Sequence, residues 1–230
     1  RRSVTFRGVP VREEMANVDR TPLGRRRAKH RLGLPAGAAV VAVSGGSLGS
    51  RRINRAAVQL AQLWAARPDL AVYHVVGRRE WDSFVPPVLG EGGLAYRAVP
   101  YQQDMASLYS AADIAVQRAG ASALAELALA GLPSVLVPLP SAPGGHQEAN
   151  AEAMAAAGAA VVVADSELDG RRLAEILDAV LADPARLEAM GAAAKSLARP
   201  RASEELAELV ESTARRPAAN YVRKAVASAR

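Results

Sequence analysis

Short β-branched runs alternate along this chain with longer alanine- and leucine-rich stretches of helical period. That rhythm belongs to a parallel sheet joined by crossover helices. The apolar runs predict strands at 40–43, 71–76, 95–99, 113–116, 133–138 and 160–163, with helices over about 52–66, 105–111 and 146–157 and another following the turn at Arg118. From Glu167 onward the pattern is helical throughout, broken at Asp183-Pro184 and Arg199-Pro200. The expected fold is a Rossmann-like, doubly wound α/β domain over 32–200. A charged lead-in, 1–31, has no regular pattern, and Gly8 to Arg12 within it reads as an extended crossing segment. Residues 201–230 read as a carboxyl-terminal helix and a basic tail, with fraying expected from Pro217 to Arg230.

Composition narrows the class. Half of the 230 residues are hydrophobic, which supplies a sizeable core, but aromatics make up only 4%, so small side chains must pack closely between helices and sheet. Without cysteine there is no disulfide frame and no thiolate metal site, which fits a reducing compartment, and the cytoplasm is expected. The longest apolar stretch, 153–164, is interrupted by Gly158 and is too short to span a membrane. The net charge of +6 is unevenly placed: residues 1–31 hold ten Lys/Arg against three acids, and 212–230 hold five against none, leaving an acidic body. A nucleic-acid binder concentrates positive charge and aromatics on its folded face, so no nucleic-acid partner is expected. Basic ends suit a membrane surface, a partner domain or simple solvation.

In doubly wound sheets ligands sit beyond the carboxyl ends of the strands. Four unusual loops fall at that edge: 44–50, 100–105, the Arg118 turn and 139–147. The first lacks both the Lys-Ser/Thr ending of a Walker loop and the Gly-x-Gly-x-x-Gly of a dinucleotide fold. Gly46 and Ser47 either face a phosphate or sugar or simply make a tight βα connection. In the Arg118 turn, Gly120, Ala121, Ser122, Ala123, Leu124 and Ala125 open a helix that carries Glu126. Free N–H groups and the helix dipole at such a terminus suit a diphosphate, and Glu126 can accept hydrogen bonds from ribose hydroxyls. Packing is the alternative reading of the small residues. His146, Gln147 and Asn150 either bond a sugar or phosphate or cap their helix. Tyr101 with Gln102 makes a wall of a base pocket, or Tyr101 belongs to the core. Arg12 and Arg118 either neutralise diphosphate charge or lie on the surface. Three histidines with no carboxylate pair at ligand spacing predict no metal, and no cofactor is expected. No serine turn has the form of a nucleophile elbow.

Taken together, Gly8 to Arg12, Ser44 to Arg51, Arg118 to Glu126, Gly131-Leu132-Pro133 and His146 to Ala151 resemble, in order and spacing, the carboxyl-terminal half of MurG-type peptidoglycan glycosyltransferases of glycosyltransferase family 28. The resemblance extends over most of residues 8 to 200. It implies one half of a GT-B enzyme, the half that binds UDP-N-acetylglucosamine, with transfer to undecaprenyl-diphospho-muramoylpentapeptide at the cytoplasmic face of the plasma membrane. It implies further that Glu126 binds the ribose, the 120–123 amides and Ser47 meet the diphosphate with Arg12 nearby, backbone groups at Tyr101 and Gln102 read uracil, and Gln147 contacts the donor sugar. The acceptor domain of that family, with its proposed general base, has no counterpart in this sequence. This chain alone is therefore expected to bind UDP-sugar weakly and to transfer nothing. The alternative is a UDP-sugar-binding subunit of a split transferase with another acceptor, inactive without its partner.

Overall fold

A computed structural model describes residues 8–214, so the tail expected at 217–230 lies outside the described residues. Six strands, β1 Ala39–Ser44, β2 Leu70–Val75, β3 Ala95–Val99, β4 Ile114–Gln117, β5 Ser134–Leu136 and β6 Ala160–Val162, form a sheet in the order β3-β2-β1-β4-β5-β6. All pairings are parallel, and Ser44 lies opposite both Val75 and Gln117, so three neighbouring strands end level. The chain winds outward from β1 to β3, then returns to β4 on the other side. That reversal opens a crevice beyond the carboxyl ends of β1 and β4.

Eight helices are described: α1 Pro22–Arg31, α2 Arg51–Leu63, α3 Met105–Ala111, α4 Ala121–Ala130, α5 His146–Ala156, α6 Gly170–Leu181, α7 Pro184–Ser196 and α8 Ala202–Ala214. Because side chains alternate across a strand, β1 feeds two cores. Val40 and Ala42 pack with Leu108 and Leu127 on one face, whereas Val41 and Val43 pack with Ile53, Leu60, Leu173 and Leu177 on the other. Both faces are covered, which is why the strands read as continuous apolar runs.

Residues 13–31, where the pattern predicts no regular element, are built into this body. Glu13–Asn17 form a 3-10 turn that buries Met15 in the core, and α1 packs on α3. Arg20 donates from Nη1 to the carbonyls of Tyr109 and Ala112 at 2.9 and 2.7 Å. Arg25 pairs with Asp113, whose other carboxylate oxygen accepts the Val40 N–H at 2.8 Å. Lys29 Nζ donates to Ala38 O at 2.7 Å. Burial lowers the Lys29 pKa and brings Arg20 down to about 10. The expected division at residue 32 is thus crossed by the core itself. Its signal is weak because the buried side of α1 is Gly24, Ala28 and the Lys29 stem, and its Arg25 holds the Ala112 carbonyl at 3.0 Å instead of facing solvent.

One buried polar set ties β2 and β3 to α2 within the first winding half. His74 on β2 lies 2.6 Å from Tyr96 Oη through Nδ1 and 3.0 Å from Asn54 Oδ1 through Nε2, while Asn54 Nδ2 donates to Val76 O. The amide orientation places the imidazole proton on Nε2 and makes Nδ1 the acceptor from tyrosine. Burial pushes the His74 pKa down to about 4. The unfolded chain therefore takes up this proton first, and stability should fall by about 3 kcal/mol from this group as pH drops from 6.5 towards 4. We expect the His74 imidazole resonance of the folded protein to titrate near pH 4. A folded-state midpoint at an ordinary histidine value would contradict the assignment.

Candidate functional site

The crevice holds a cleft of about 850 Å³ whose lining comes from all four loops singled out in the sequence. The 44–50 loop divides its residues between a tight connection and the cleft wall. A Cβ on Gly45 would lie 2.4 Å from Ser50 N, and one on Gly49, at φ +91°, would lie 2.3 Å from Val76 O, so these two make the tight connection. Gly46 and Ser47 line the cleft, and a Cβ on Gly46 would meet nothing.

The N-terminus of α4 differs from its neighbours. Helices α1, α2, α3, α6 and α7 each begin with a side-chain cap, from Thr21, Ser50, Asp104, Asp169 and Asp183 respectively. Helix α4 begins at Gly120 with no side-chain cap and no acid in its first turn. Helix α5 also begins on glycine, but Glu148 sits in its first turn and offsets its dipole. Gly120, Ala121, Ser122 and Ala123 line the cleft. Their free amides carry the positive end of the α4 dipole into it.

Further along α4, Glu126 lines the same cleft with its side chain 14% exposed. Burial raises its pKa, and the Arg12 guanidinium, 3.5 Å away, works against that rise. Arg12 is itself shared with Glu14 at 2.9 Å and with Gln103 O at 3.3 Å. Tyr109, fully buried beneath, places its hydroxyl 3.5 Å from Glu126 Oε2 and 3.3 Å from Gln117 Oε1. Desolvation and the Glu126 charge hold the Tyr109 phenol up, so it remains a neutral donor.

The other expected site residues separate into two groups. Tyr101, Gln102 and Gln147 line the cleft. Arg78 lies 4.1 Å over the Tyr101 ring, so Tyr101 is a wall braced on one face by a cation, not a core residue. The Gln102 side chain is held by Tyr73 Oη and Asp104 O at 2.9 and 2.8 Å, which leaves its backbone as the group available for recognition. Gln147 Oε1 accepts the Leu139 N–H at 3.0 Å.

Arg118 reaches the lining but is consumed by the scaffold. It donates to Val137 O, Pro138 O and Ser50 Oγ, and its guanidinium is 2.6 Å from Asp165. Four residues, Leu124, Ala125, His146 and Asn150, do not line the cleft. Leu124 turns into the core, and its N–H already bonds Gly120 O. Helical rotation carries Ala125 off the cleft face. His146 Nδ1 is 2.7 Å from Pro143 O, and Asn150 Nδ2 donates to Ala119 O at 3.0 Å, so both brace their loops. Sequence reasoning missed Arg51, Arg52, Tyr109 and Gln117. Arg51 closed a motif already singled out, and Gln117 carried a signal as a polar residue closing an apolar strand immediately before the Arg118 turn. Among the described residues no cluster of His, Asp and Glu is placed to hold a metal ion.

Comparison with known proteins places these features in a lineage. Residues 40–206 match the Glycosyltransferase family 28 C-terminal domain. The UDP-N-acetylglucosamine--N-acetylmuramyl-(pentapeptide) pyrophosphoryl-undecaprenol N-acetylglucosamine transferase of Desulforudis audaxviator is 38% identical over 219 residues, covering 93% of this chain and 57% of that protein. The Moorella thermoacetica protein of the same name is 40% identical over 211 residues, covering 90% of this chain and 56% of its own length. The chain thus spans somewhat over half the length of the curated relatives it matches. The crystal structure of Acinetobacter baumannii MurG superposes with a TM-score of 0.70 at 26% identity, covering 86% of this chain and 55% of that one. WaaG, a glycosyltransferase involved in lipopolysaccharide biosynthesis, shares the fold at 19% identity and a TM-score of 0.58, covering 86% of this chain and 54% of that one.

A substitution at the N-cap tests whether α4 is left open for a ligand. Gly120 has φ −69° and ψ 142°, a conformation open to any residue, and its Cβ would meet nothing. Gly120→Asp would cap the helix from within and place a carboxylate beside its free amides. The expected result is an unfolding midpoint equal to or above that of the parent, with affinity for UDP reduced at least about tenfold. Unchanged affinity would contradict the reading.

Proposed function

The chain belongs to the family of glycosyltransferase family 28 C-terminal domains, and on that premise we propose that it is the donor-binding half of an inverting transferase. The reaction moves N-acetylglucosamine from UDP-N-acetylglucosamine to undecaprenyl-diphospho-muramoylpentapeptide, lipid I to lipid II. The observation that carries this reading is a single helix, α4, that meets the cleft with an open N-terminus and a partly buried carboxylate. Ala121 and Glu126 are separated by about 7.5 Å of helix axis. One element can then receive a diphosphate on its amides and a ribose on its carboxylate.

Charge accumulates on the leaving UDP as the anomeric bond breaks. Donors that are already aimed, such as the 121–123 amides, stabilise that charge without reorganising. Arg51 and Arg52 also line the cleft and add positive potential, although each has an acidic partner, Glu80 and Asp165. Tyr101 forms the wall against which the base rests, and the backbone at Gln102 reads its edge. Gln147, with its oxygen held by Leu139 N–H, keeps its amide hydrogens for the sugar. Deprotonation of the acceptor hydroxyl falls to the acceptor-binding half.

We assign the assembled enzyme to the cytoplasmic face of the plasma membrane, as a peripheral protein. The undecaprenol in the relatives' name supports a lipid-borne acceptor, and no described helix is long and apolar enough to cross a membrane.

Titration calorimetry of the 230-residue chain with UDP-N-acetylglucosamine, UDP and UDP-glucose tests the donor site. We expect binding of all three with a preference for the acetamido sugar, and at least a tenfold loss in Glu126→Ala, since hydrogen bonds to an ionised group each carry about 1.5–3 kcal/mol. Recognition of ribose hydroxyls requires the ionised carboxylate. Because burial raises its pKa, affinity should start to fall at a higher pH than for an ordinary glutamate as the solution is acidified. A folded chain that binds no uridine nucleotide, or a Glu126→Ala variant of unchanged affinity, would overturn the proposal.

A further inference from the structure

Gln117, the last residue of β4, is 5% exposed and lines the cleft. Its register places it between Ser44 of β1 and Leu136 of β5, at the floor where the loops diverge. Among the described residues its Nε2 has no hydrogen-bond partner. Its Oε1 faces Tyr109 Oη, and the same hydroxyl faces Glu126 Oε2, at 3.3 and 3.5 Å. A phenol has one proton. The carboxamide and the carboxylate therefore compete for a single donor, and the floor is left short of partners.

Exchanging the two ends of the carboxamide does not close the set. Nε2 would then donate to Tyr109 Oη, Tyr109 would donate to Glu126, and Oε1 would be the orphan. A buried amide atom without a partner is costly, and such groups are found where a ligand completes them. The completing group must serve beside an acceptor-only carboxylate and satisfy the carboxamide in either orientation. A hydroxyl does so, because it donates once and accepts twice, whereas a phosphate or carbonyl oxygen does not.

We propose that Gln117 hydrogen-bonds a ribose hydroxyl of the nucleotide held by Glu126, and that it makes this cleft select ribonucleotides over their deoxy analogues. The proposal rests on the donor-nucleotide reading of the same cleft. The hydroxyl gives its proton to Glu126 and takes one from Gln117 Nε2. Tyr109 remains as the support beneath both.

The test uses Gln117→Met, which keeps length and removes the polar end, with Gln117→Leu as a second variant. Each is titrated with UDP, 2′-deoxy-UDP and 3′-deoxy-UDP, and each is unfolded without ligand. The expected result is an unfolding midpoint no lower than that of the parent in at least one variant, because an orphaned amide has been removed. Affinity for UDP should fall about 3- to 10-fold, and the preference for UDP over one of the two deoxy analogues should shrink by a similar factor. Unchanged UDP affinity, an equal loss for all three ligands, or clear destabilisation of both variants would assign Gln117 to the scaffold and overturn the proposal. Failure of the parent chain to bind any of the three would overturn the nucleotide reading as well, whereas normal binding by the parent with normal discrimination by the variants would remove Gln117 alone.

Discussion

Everything at the cleft depends on the four backbone N–H groups that an α-helix cannot satisfy for itself. At five other helices a hydroxyl or carboxylate meets part of that requirement, as at Ser50, Asp104 and Asp169. At α4 it is left to something else. The sheet order places this terminus beside the point where the winding reverses, so the loops after β1 and β4 part around it. Glycine at the N-cap costs the helix little in propensity and leaves room for an anion to approach the backbone.

The contrast between cleft and scaffold extends to side chains. At several scaffold positions buried polar groups close on one another: Arg20 on two carbonyls, Asp113 on Arg25 and Val40 N–H, His74 between Asn54 and Tyr96. In the cleft they do not. Glu126 is held in a desolvated position that raises its pKa, Gln117 lacks a partner, and Tyr109 has one proton for two acceptors. Stability spent in this way is characteristic of a site that a ligand completes. Arg118 marks the boundary between the two regimes. It follows the cleft floor in sequence, yet its donors hold the 137–138 carbonyls and Ser50 in place, so it shapes the site without being open to a ligand.

The parallel sheet was legible because strands covered on both faces write themselves as unbroken apolar runs, and the four convergent loops followed from the sheet. Glu126 and the Gly120 turn were legible from spacing. Helix α1 was not, because its buried side is built of glycine, alanine and a lysine stem, which carry little periodic signal. The roles of Arg118 and Asn150 were also hidden: Arg118 meets carbonyls because the segment after β5 brings Val137 and Pro138 within its reach, and Asn150 is turned from α5 onto Ala119 O. Tyr109 lay in a run that read simply as helix, and its function depends on depth beneath the cleft, which periodicity does not report.

The most direct test of the open α4 terminus is an amide chemical-shift map of the isotopically labelled chain during titration with UDP. The account predicts the largest movements at the backbone amides of Ala121, Ser122 and Ala123, followed by Gly46 and Ser47. Saturable shifts that leave α4 untouched and gather elsewhere, for example in the groove of Trp81, Phe84 and Tyr96 beside the edge strand β3, would contradict it.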